Sequence, residues 1–253
     1  MPQATMRHLV GRTRTRHANR QLGVLLAFVA GAVNAGGFLA IRRYTSHMTG
    51  VLSGIADDLA LGHVGLALAG LLLVGVFTSG AMTTTLLVHW ARHRQLNSEY
   101  ALSLLLEAVL LLVFGLLGTY LARHTTLLVP ATVALLCFIM GLQNAVVTKI
   151  SQAEIRTTHM TGVITDLGIE LGKLIYWNRS SDPASDTYVR ANRDKLKVLG
   201  SILGGFTAGG LVGALAFQHL SYAATIPIAL LLAGLALVPV LDDLRAIVRA
   251  RPR

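Results

Sequence analysis

Two histidines, His47 and His159, occupy the same position in a seven-residue string that occurs twice in this chain. The first copy reads T-S-H-M-T-G-V over residues 45–51, and the second reads T-T-H-M-T-G-V over residues 157–163. Histidine is the side chain whose charge changes near neutral pH, so a duplicated histidine could bind or relay protons. Identity at six of the seven positions indicates that the chain contains an internal duplication.

Carboxylates follow each string at the spacing of one helix face. On a helix that begins at the string, residues three or four apart lie on the same side. One stripe of each helix therefore carries an imidazole, a glycine that lets another backbone approach, and a carboxylate. We expect the two stripes to line a central polar pathway. The candidates for that pathway are His47, His159, Thr49, Thr161, Asp58, Asp166 and Glu170, with Gly50 and Gly162 as structural glycines.

The order of these residues also predicts which of them meet. Ser46 is a natural N-cap, so we expect the first signature helix to begin there, with its counterpart in the second copy. The acids follow about 16 Å further along the same helix, too far for contact within one copy. If the two copies are inverted, we expect His47 to approach Glu170 or Asp166, with a reciprocal approach of His159 to the acids of the first copy.

Further polar and small residues lie inside apolar stretches. Asn34 and Asn144 correspond to each other in the repeat, and each amide needs a hydrogen-bond partner there. Glu107 lies about two turns inside a third stretch, where an ionisable group is a functional candidate. Gly80 and Gly209 follow matching phenylalanines and favour close helix packing. Simpler interpretations stay open, because these polar groups could bond between helices and the acids could lie among lipid headgroups.

The composition is typical of a membrane protein. Hydrophobic residues make up 53% of the 253 residues and charged residues 13%, and the mean hydropathy is +0.61. The net charge of +10 comes from basic residues in tails and loops between the apolar stretches, a distribution that disfavours nucleic-acid binding. The only cysteine, Cys137, lies in an apolar stretch, which excludes a disulfide framework and a thiolate metal cluster.

The sequence predicts an all-α integral membrane protein with six transmembrane helices as two inverted three-helix repeats, each with a short polar signature helix. The predicted parts are a basic N-tail (1–21), repeat 1 (22–122; spans about 22–41, 64–90 and 101–122; signature 45–62), repeat 2 (127–241; spans about 127–148, 198–219 and 222–241; signature 157–177) and a basic C-tail (242–253). Six spans leave 19 Lys and Arg residues on the side of the termini and three on the other, whereas eight spans would leave 16 and six. The first arrangement obeys the positive-inside rule better and predicts that both termini are cytoplasmic.

The chain resembles the YoaK-like family of bacterial membrane proteins, a domain of unknown function. The resemblance is carried by the G-x-x-N-A span over residues 31–35 and the S-H-M-T-G string over 46–50, repeated as T-H-M-T-G over 158–162. It covers about residues 22–241. It implies a multi-pass protein of the bacterial inner membrane, and it supplies no catalytic residues.

We interpret the protein as a transporter or channel for a small solute or ion, with the lipid bilayer as its environment and a homo-oligomer as a possible state. The alternative is a membrane scaffold or pH sensor in which the polar residues are packing groups between helices. An intramembrane enzyme is disfavoured, because no nucleophile–base pair or complete metal set is visible in the sequence. We expect no cofactor and no metal, although haem held between His47 and His159 stays open.

Overall fold

The computed structural model describes residues 16–41, 44–96, 98–121, 125–150, 160–177 and 188–250, and every regular element in these ranges is helical. The helices are α1 (Arg16–Ile41), α2 (Met48–Ala60), α3 (Val64–His93), α4 (Ala101–Leu121), α5 (Thr125–Ile150), α6 (Met160–Ile175), α7 (Arg193–Leu220) and α8 (Thr225–Ala250), with a 3₁₀ helix at Ser221–Ala224 between α7 and α8. The two short helices, α2 and α6, fall within the signature segments.

Five stretches of the described chain are long and apolar enough to cross a membrane. They are Ala18–Phe38, Val64–His93, Ala101–Gly118, Val129–Lys149 and Arg193–Arg245. The last stretch covers 53 residues, which as one helix would be on the order of 80 Å long, more than twice the thickness of the hydrocarbon core. The 3₁₀ helix interrupts it, where Ser221 has a φ of +50°, and divides it into α7 and α8.

Helices α1 and α7 form a parallel pair with a very close backbone approach. Their order is parallel because Arg20 donates to the Lys197 carbonyl at 3.1 Å near the beginning of both helices, while later residues of α1 meet later residues of α7. A Cβ at Gly209 would collide with the Phe28 carbonyl, and one at Gly31 with that of Phe206. Glycine at these positions lets the two backbones touch, which increases van der Waals contact where lipid gives no hydrophobic drive.

Helices α3 and α5 form a second parallel pair of the same kind. A Cβ at Gly80 would collide with the Phe138 carbonyl, and one at Gly141 with that of Phe77. One turn beyond Gly80, the Thr84 hydroxyl donates to the Leu142 carbonyl at 2.9 Å. We refer to the α1–α7 and α3–α5 contacts as the two glycine seams.

The remaining long helices close the core. Helix α4 packs against α8 and α5, and α1 also contacts α5. The Phe114 ring of α4 lies 6.5 Å from Phe217 and 5.6 Å from Tyr222 between ring centroids. The signature helices lie at the edge of this core, α2 against α3 and α6 against α7, and Val163 of α6 reaches into it. In α2 only Ile55 is buried, where it packs beside Gly70, so each signature helix is held mainly by one neighbour.

Candidate functional site

A hydrogen bond between a serine of the first signature segment and an asparagine of α1 attaches the segment to that helix. The Ser46 hydroxyl donates to the Asn34 Oδ1 at 2.7 Å, so the amide inside the apolar span has a partner. The residue that precedes α2 is therefore His47, with φ −89° and ψ 64°, and its side chain makes no capping bond. The prediction that Ser46 caps the helix is wrong, because α2 begins at Met48 and His47 occupies the N-cap position.

A cleft of about 590 Å³ lies between α2, α3 and the segment that precedes α2. The His47 ring lies beside Gly50, since a Cβ there would come within 2.6 Å of the His47 Nδ1. On one side the rings of Phe38 and Tyr44 stack with their centroids 4.4 Å apart. The lining includes four members of the stripe that the spacing defines, His47, Gly50, Gly54 and Asp58, whereas the exposed Thr49 is not among them. We call this cavity the α2–α3 cleft.

Asp58 lies at the far end of this cleft, beside a histidine of its own copy. Its Oδ1 is 3.7 Å from the His63 Nδ1, and its backbone carbonyl accepts from the His63 N–H at 2.7 Å. Both side chains are accessible, with His63 56% and Asp58 29% exposed. The pair therefore connects α2 to the beginning of α3 while remaining exposed to solvent.

The second signature segment is described from Met160 onward, so His159 lies outside the described residues. In α6 the Thr161 carbonyl accepts from the Thr165 hydroxyl at 2.8 Å, and Gly162 is half-buried. Asp166 pairs with Lys195 of α7 at 3.2 Å. Asp166, one of the two acids of the second stripe, is thus already bound to a lysine.

Glu170 is the most strongly bound of the predicted acids. It is 3% exposed and accepts from the Lys173 Nζ at 2.9 Å and from the Asn192 backbone N–H at 2.8 Å. Asn192 in turn caps α7 by accepting from the Lys195 N–H at 3.0 Å. The Asn192 N–H and then Lys173 hold the pKa of Glu170 below its usual range. Glu170 therefore anchors the beginning of α7 as an ionised carboxylate.

The structure does not bring the two signature stripes into one site. Helix α2 lies against α3 of its own half and α6 against α7 of its own half, and the α2–α3 cleft has no lining residue from α6. In the described part of the chain, the partners of Glu170 and Asp166 are Lys173, Asn192 and Lys195, and His47 makes no ion pair with either acid. The approach of His159 to the first-copy acids lies outside the described residues.

The core itself contains polar side chains that sequence reasoning only partly identified. Glu107 is fully buried, and neither of its carboxylate oxygens has a hydrogen-bond partner. Ser103, one turn earlier, and Gln143 of α5 are also fully buried, and the Ser103 Oγ and Gln143 Oε1 have no partner. The Gln143 Nε2 donates to the Leu26 carbonyl at 3.4 Å. Gln143 takes the repeat position that Val33 takes in the first copy, and this difference between the copies could have pointed to it.

The other predicted residues have local roles. The Asn144 Nδ2 donates to the Met140 carbonyl one turn earlier at 3.0 Å, and the backbone carbonyl of Asn144 accepts from the Thr148 hydroxyl. Gly80 and Gly209 lie in the two glycine seams. Among the described residues, no group of three or more His, Cys, Asp or Glu side chains could hold a metal ion.

A bundle of long apolar helices, with polar segments at its surface and a carboxyl group in its core, defines an all-helical multi-pass membrane protein. The chain belongs to the family described as "Protein of unknown function (DUF1275)", which matches residues 22–238. It is 31% identical over 183 residues to the UPF0700 transmembrane protein YoaK of Bacillus subtilis (strain 168), covering 71% of this chain and 79% of that protein. The resemblance drawn from the repeated string is thereby confirmed. No solved structure matches the chain.

Proposed function

We propose that the protein is a transporter for a small solute or ion in the bacterial inner membrane, built from six spans in two inverted repeats. The observation that carries the proposal is the exchange of first helices between the two halves. Helix α1 packs on α7 of the second half, and α5 packs on α3 of the first half. Transporters with inverted repeats combine their two halves in this way and hold their substrate at the interface between them.

The correspondence extends to single residues of the two glycine seams. The contact of Gly31 with Phe206 corresponds to that of Gly141 with Phe77. Gly31 and Gly141 are 110 residues apart in the sequence, and the two phenylalanines are 129 residues apart in the opposite direction. The contact of Gly209 with Phe28 corresponds in the same way to that of Gly80 with Phe138. A pseudo-two-fold axis between the halves accounts for all four contacts.

Inversion of the repeats follows from an odd number of spans in each. With α1, α3 and α4 in the first repeat and α5, α7 and α8 in the second, the two copies enter the membrane in opposite directions. The antiparallel order of α1 and α5 supports this arrangement, since Gln143 bonds to Leu26 while Leu136 lies beside Gly37. The Lys and Arg distribution then favours cytoplasmic termini. The α2–α3 cleft opens on the outer side, and the Asp166–Lys195 region faces the cytoplasm.

The glycine seams also suggest which helices move together. Close backbone contact holds α1 to α7 and α3 to α5, so each pair would rotate as one body against the other. In alternating access, such a rotation would open the closed centre to each side in turn. The His47 ring in the α2–α3 cleft would then lie at the outer entrance to the pathway.

A second candidate function is a membrane scaffold or pH sensor. It is favoured by the tight glycine seams, which leave the described centre packed, and by the accessible Asp58–His63 pair. In this role the protein would respond to outside pH without moving a solute.

Measurement of solute-induced charge movement on a solid-supported membrane separates the two functions. Reconstituted protein is exposed to rapid jumps of single solutes from a library of amino acids, sugars, organic acids and inorganic ions. A transporter gives a transient current for at least one class, and a cysteine pair that cross-links α1 to α5 of the other pair abolishes it until reduction. A correctly folded protein that gives no current for any solute, in either orientation, contradicts transport and supports the scaffold.

A further inference from the structure

Three side chains in the core leave four buried oxygen atoms without a hydrogen-bond partner. They are the two carboxylate oxygens of Glu107, the Oγ of Ser103 and the Oε1 of Gln143. Each of these residues has no accessible surface. Unpaired buried polar groups are uncommon in folded proteins and each needs an explanation, such as an occupant that the protein binds there.

The three residues lie at the same level of the bundle. Ser103 and Glu107 are four residues apart on α4 and therefore share one helix face. Helices α4 and α5 are packed together and joined by only residues 122–124, so they run antiparallel. Ser103 and Gln143 are equally far along the chain from this link, which places Gln143 level with Ser103 and within about one turn of Glu107.

Counting donors shows what the cluster lacks. An ionised Glu107 and the Gln143 Oε1 can only accept hydrogen bonds, so the Ser103 hydroxyl is the one donor among these four orphaned oxygens. A proton on Glu107 turns one acceptor into a donor, which allows the acid to donate while its other oxygen accepts from Ser103. Protonation also removes the charge, whose burial without a partner is strongly unfavourable.

Helix α8 offers a further acceptor beside this level. Gly115 of α4 contacts Thr225, and the Ser98 backbone N–H donates to Asp243 at 2.8 Å, so α8 runs antiparallel along α4. Between these two contacts lies the buried Leu235. Pro239 is inside the helix and has no N–H, which leaves the Leu235 carbonyl without its usual intrahelical donor.

Among the described residues, no cation bonds to Glu107. The ionisable residues of the described elements packed against α4 are His89, Arg92 and His93 on α3, Cys137 and Lys149 on α5, Tyr222 in the 3₁₀ helix, and Asp242, Asp243 and Arg245 on α8. Arg92 is already bound to Glu99 at 2.9 Å, next to the beginning of α4. The described contacts give none of these groups a bond to Glu107.

We propose that Glu107, with Ser103 and Gln143, is a proton-binding site in the core, and that the carboxyl group carries its proton in the closed state described here. The proton leaves only when α4 separates from α5 or α8 and water reaches the acid. The use of this site to couple a proton to solute movement rests on the proposed transport function. The proton-binding site itself does not depend on transport.

Infrared spectroscopy of the full-length protein in lipid tests the site directly. A protonated carboxyl group in an apolar environment absorbs above the amide region, separately from carboxylates. We expect this band at pH 7 in the native protein and its loss in Glu107→Gln. The matched control is Glu99→Gln, which should leave the band unchanged because Glu99 is paired with Arg92. Gln143→Leu should shift the band to higher frequency, since the acid loses an acceptor.

The outcomes separate the site from the transport proposal. Identical spectra of the native protein and Glu107→Gln at pH 7 would overturn the proton site, as would loss of the band on addition of sodium ions alone. A retained band without solute-induced current would leave the proton site standing and remove transport. Where current is found, Glu107→Gln should still bind the solute, while uptake loses its response to a pH gradient.

Discussion

The two halves of the molecule begin their signature helices with the same string but use the acids that follow in different ways. In the first half the partner that the described residues give Asp58 is the exposed His63, beside the α2–α3 cleft. In the second half Glu170 is buried and bound to Lys173 and to the backbone of Asn192. The second half is longer by about 17 residues between Glu170 and the Phe-Thr-Ala-Gly motif. At the offset of 129 residues Asn192 corresponds to His63, and each residue immediately precedes its long helix, α7 or α3. The comparison teaches that duplication kept the acid beside the start of the following long helix, whereas in the second copy that acid is a buried structural anchor.

The largest effect is expected where the halves are alike. Gly80→Leu and Gly209→Leu each place a side chain against a backbone carbonyl of the partner helix, and backbone cannot rotate away. Each should lower the free energy of unfolding by about 3 kcal/mol or more, at the upper end of overpacking effects. Gly75→Leu and Gly204→Leu are matched controls in the same helices, since a Cβ there meets nothing within 4 Å. Similar melting temperatures in detergent for all four variants would argue against the seams.

The next largest effect on stability should differ between the two halves. Glu170→Gln puts an amide where Lys173 and the Asn192 N–H both donate, so at least one donor is left unsatisfied. We expect a fall in melting temperature on the order of 2–4 °C. Asp58→Asn, the equivalent change in the first half, affects an exposed pair and should lower it by less than about 1 °C. Equal losses for the two variants would contradict the difference between the halves.

Lowering the pH should reveal how much the ionised Glu170 contributes to stability. The pKa of Glu170 in the folded state is lowered, so its contribution to stability is complete above the ordinary carboxyl pKa of about 4.3. That contribution is lost as the pH falls through the lowered folded-state pKa. The gap in melting temperature between the native protein and Glu170→Gln should therefore be full at pH 6 and close towards about pH 3. A difference in melting temperature that grows on acidification would contradict a lowered pKa of Glu170 in the folded state.

Sequence reasoning went furthest where the evidence is local. Apolar length predicted the long helices, and the repeated string predicted short helices that begin within a few residues of Met48 and Met160. Ser46 was predicted wrongly as the N-cap, since α2 begins after His47 and the Ser46 hydroxyl instead bonds to Asn34 of another helix. The partners of Glu170 were missed for the same reason, since Asn192 is 22 residues away. The core oxygens without hydrogen-bond partners result from the packing of α4 against α5. The periodicity of the sequence does not predict which side chains meet in that packing.

The smallest effect concerns the glycine of the string itself. A Cβ at Gly50 meets only the His47 ring, which is an exposed side chain and can move. We therefore expect Gly50→Ala to change stability by less than about 0.5 kcal/mol while displacing the ring into the α2–α3 cleft. Gly54→Ala is the control, because a Cβ there meets nothing within 4 Å. An NMR chemical-shift change of the His47 ring in the first variant alone would support the contact.

The inverted arrangement of the halves is tested most directly by labelling single cysteines from each side of the membrane. In a Cys137→Ser background, Leu61→Cys and Tyr176→Cys place thiols at exposed positions just beyond α2 and α6, where the native side chains are 70% and 58% exposed. Six spans predict that a membrane-impermeant maleimide labels Leu61→Cys from outside intact cells and Tyr176→Cys only in inside-out vesicles. Labelling of both cysteines from the same face would contradict the inverted repeat, because it requires the signature segments to cross the membrane.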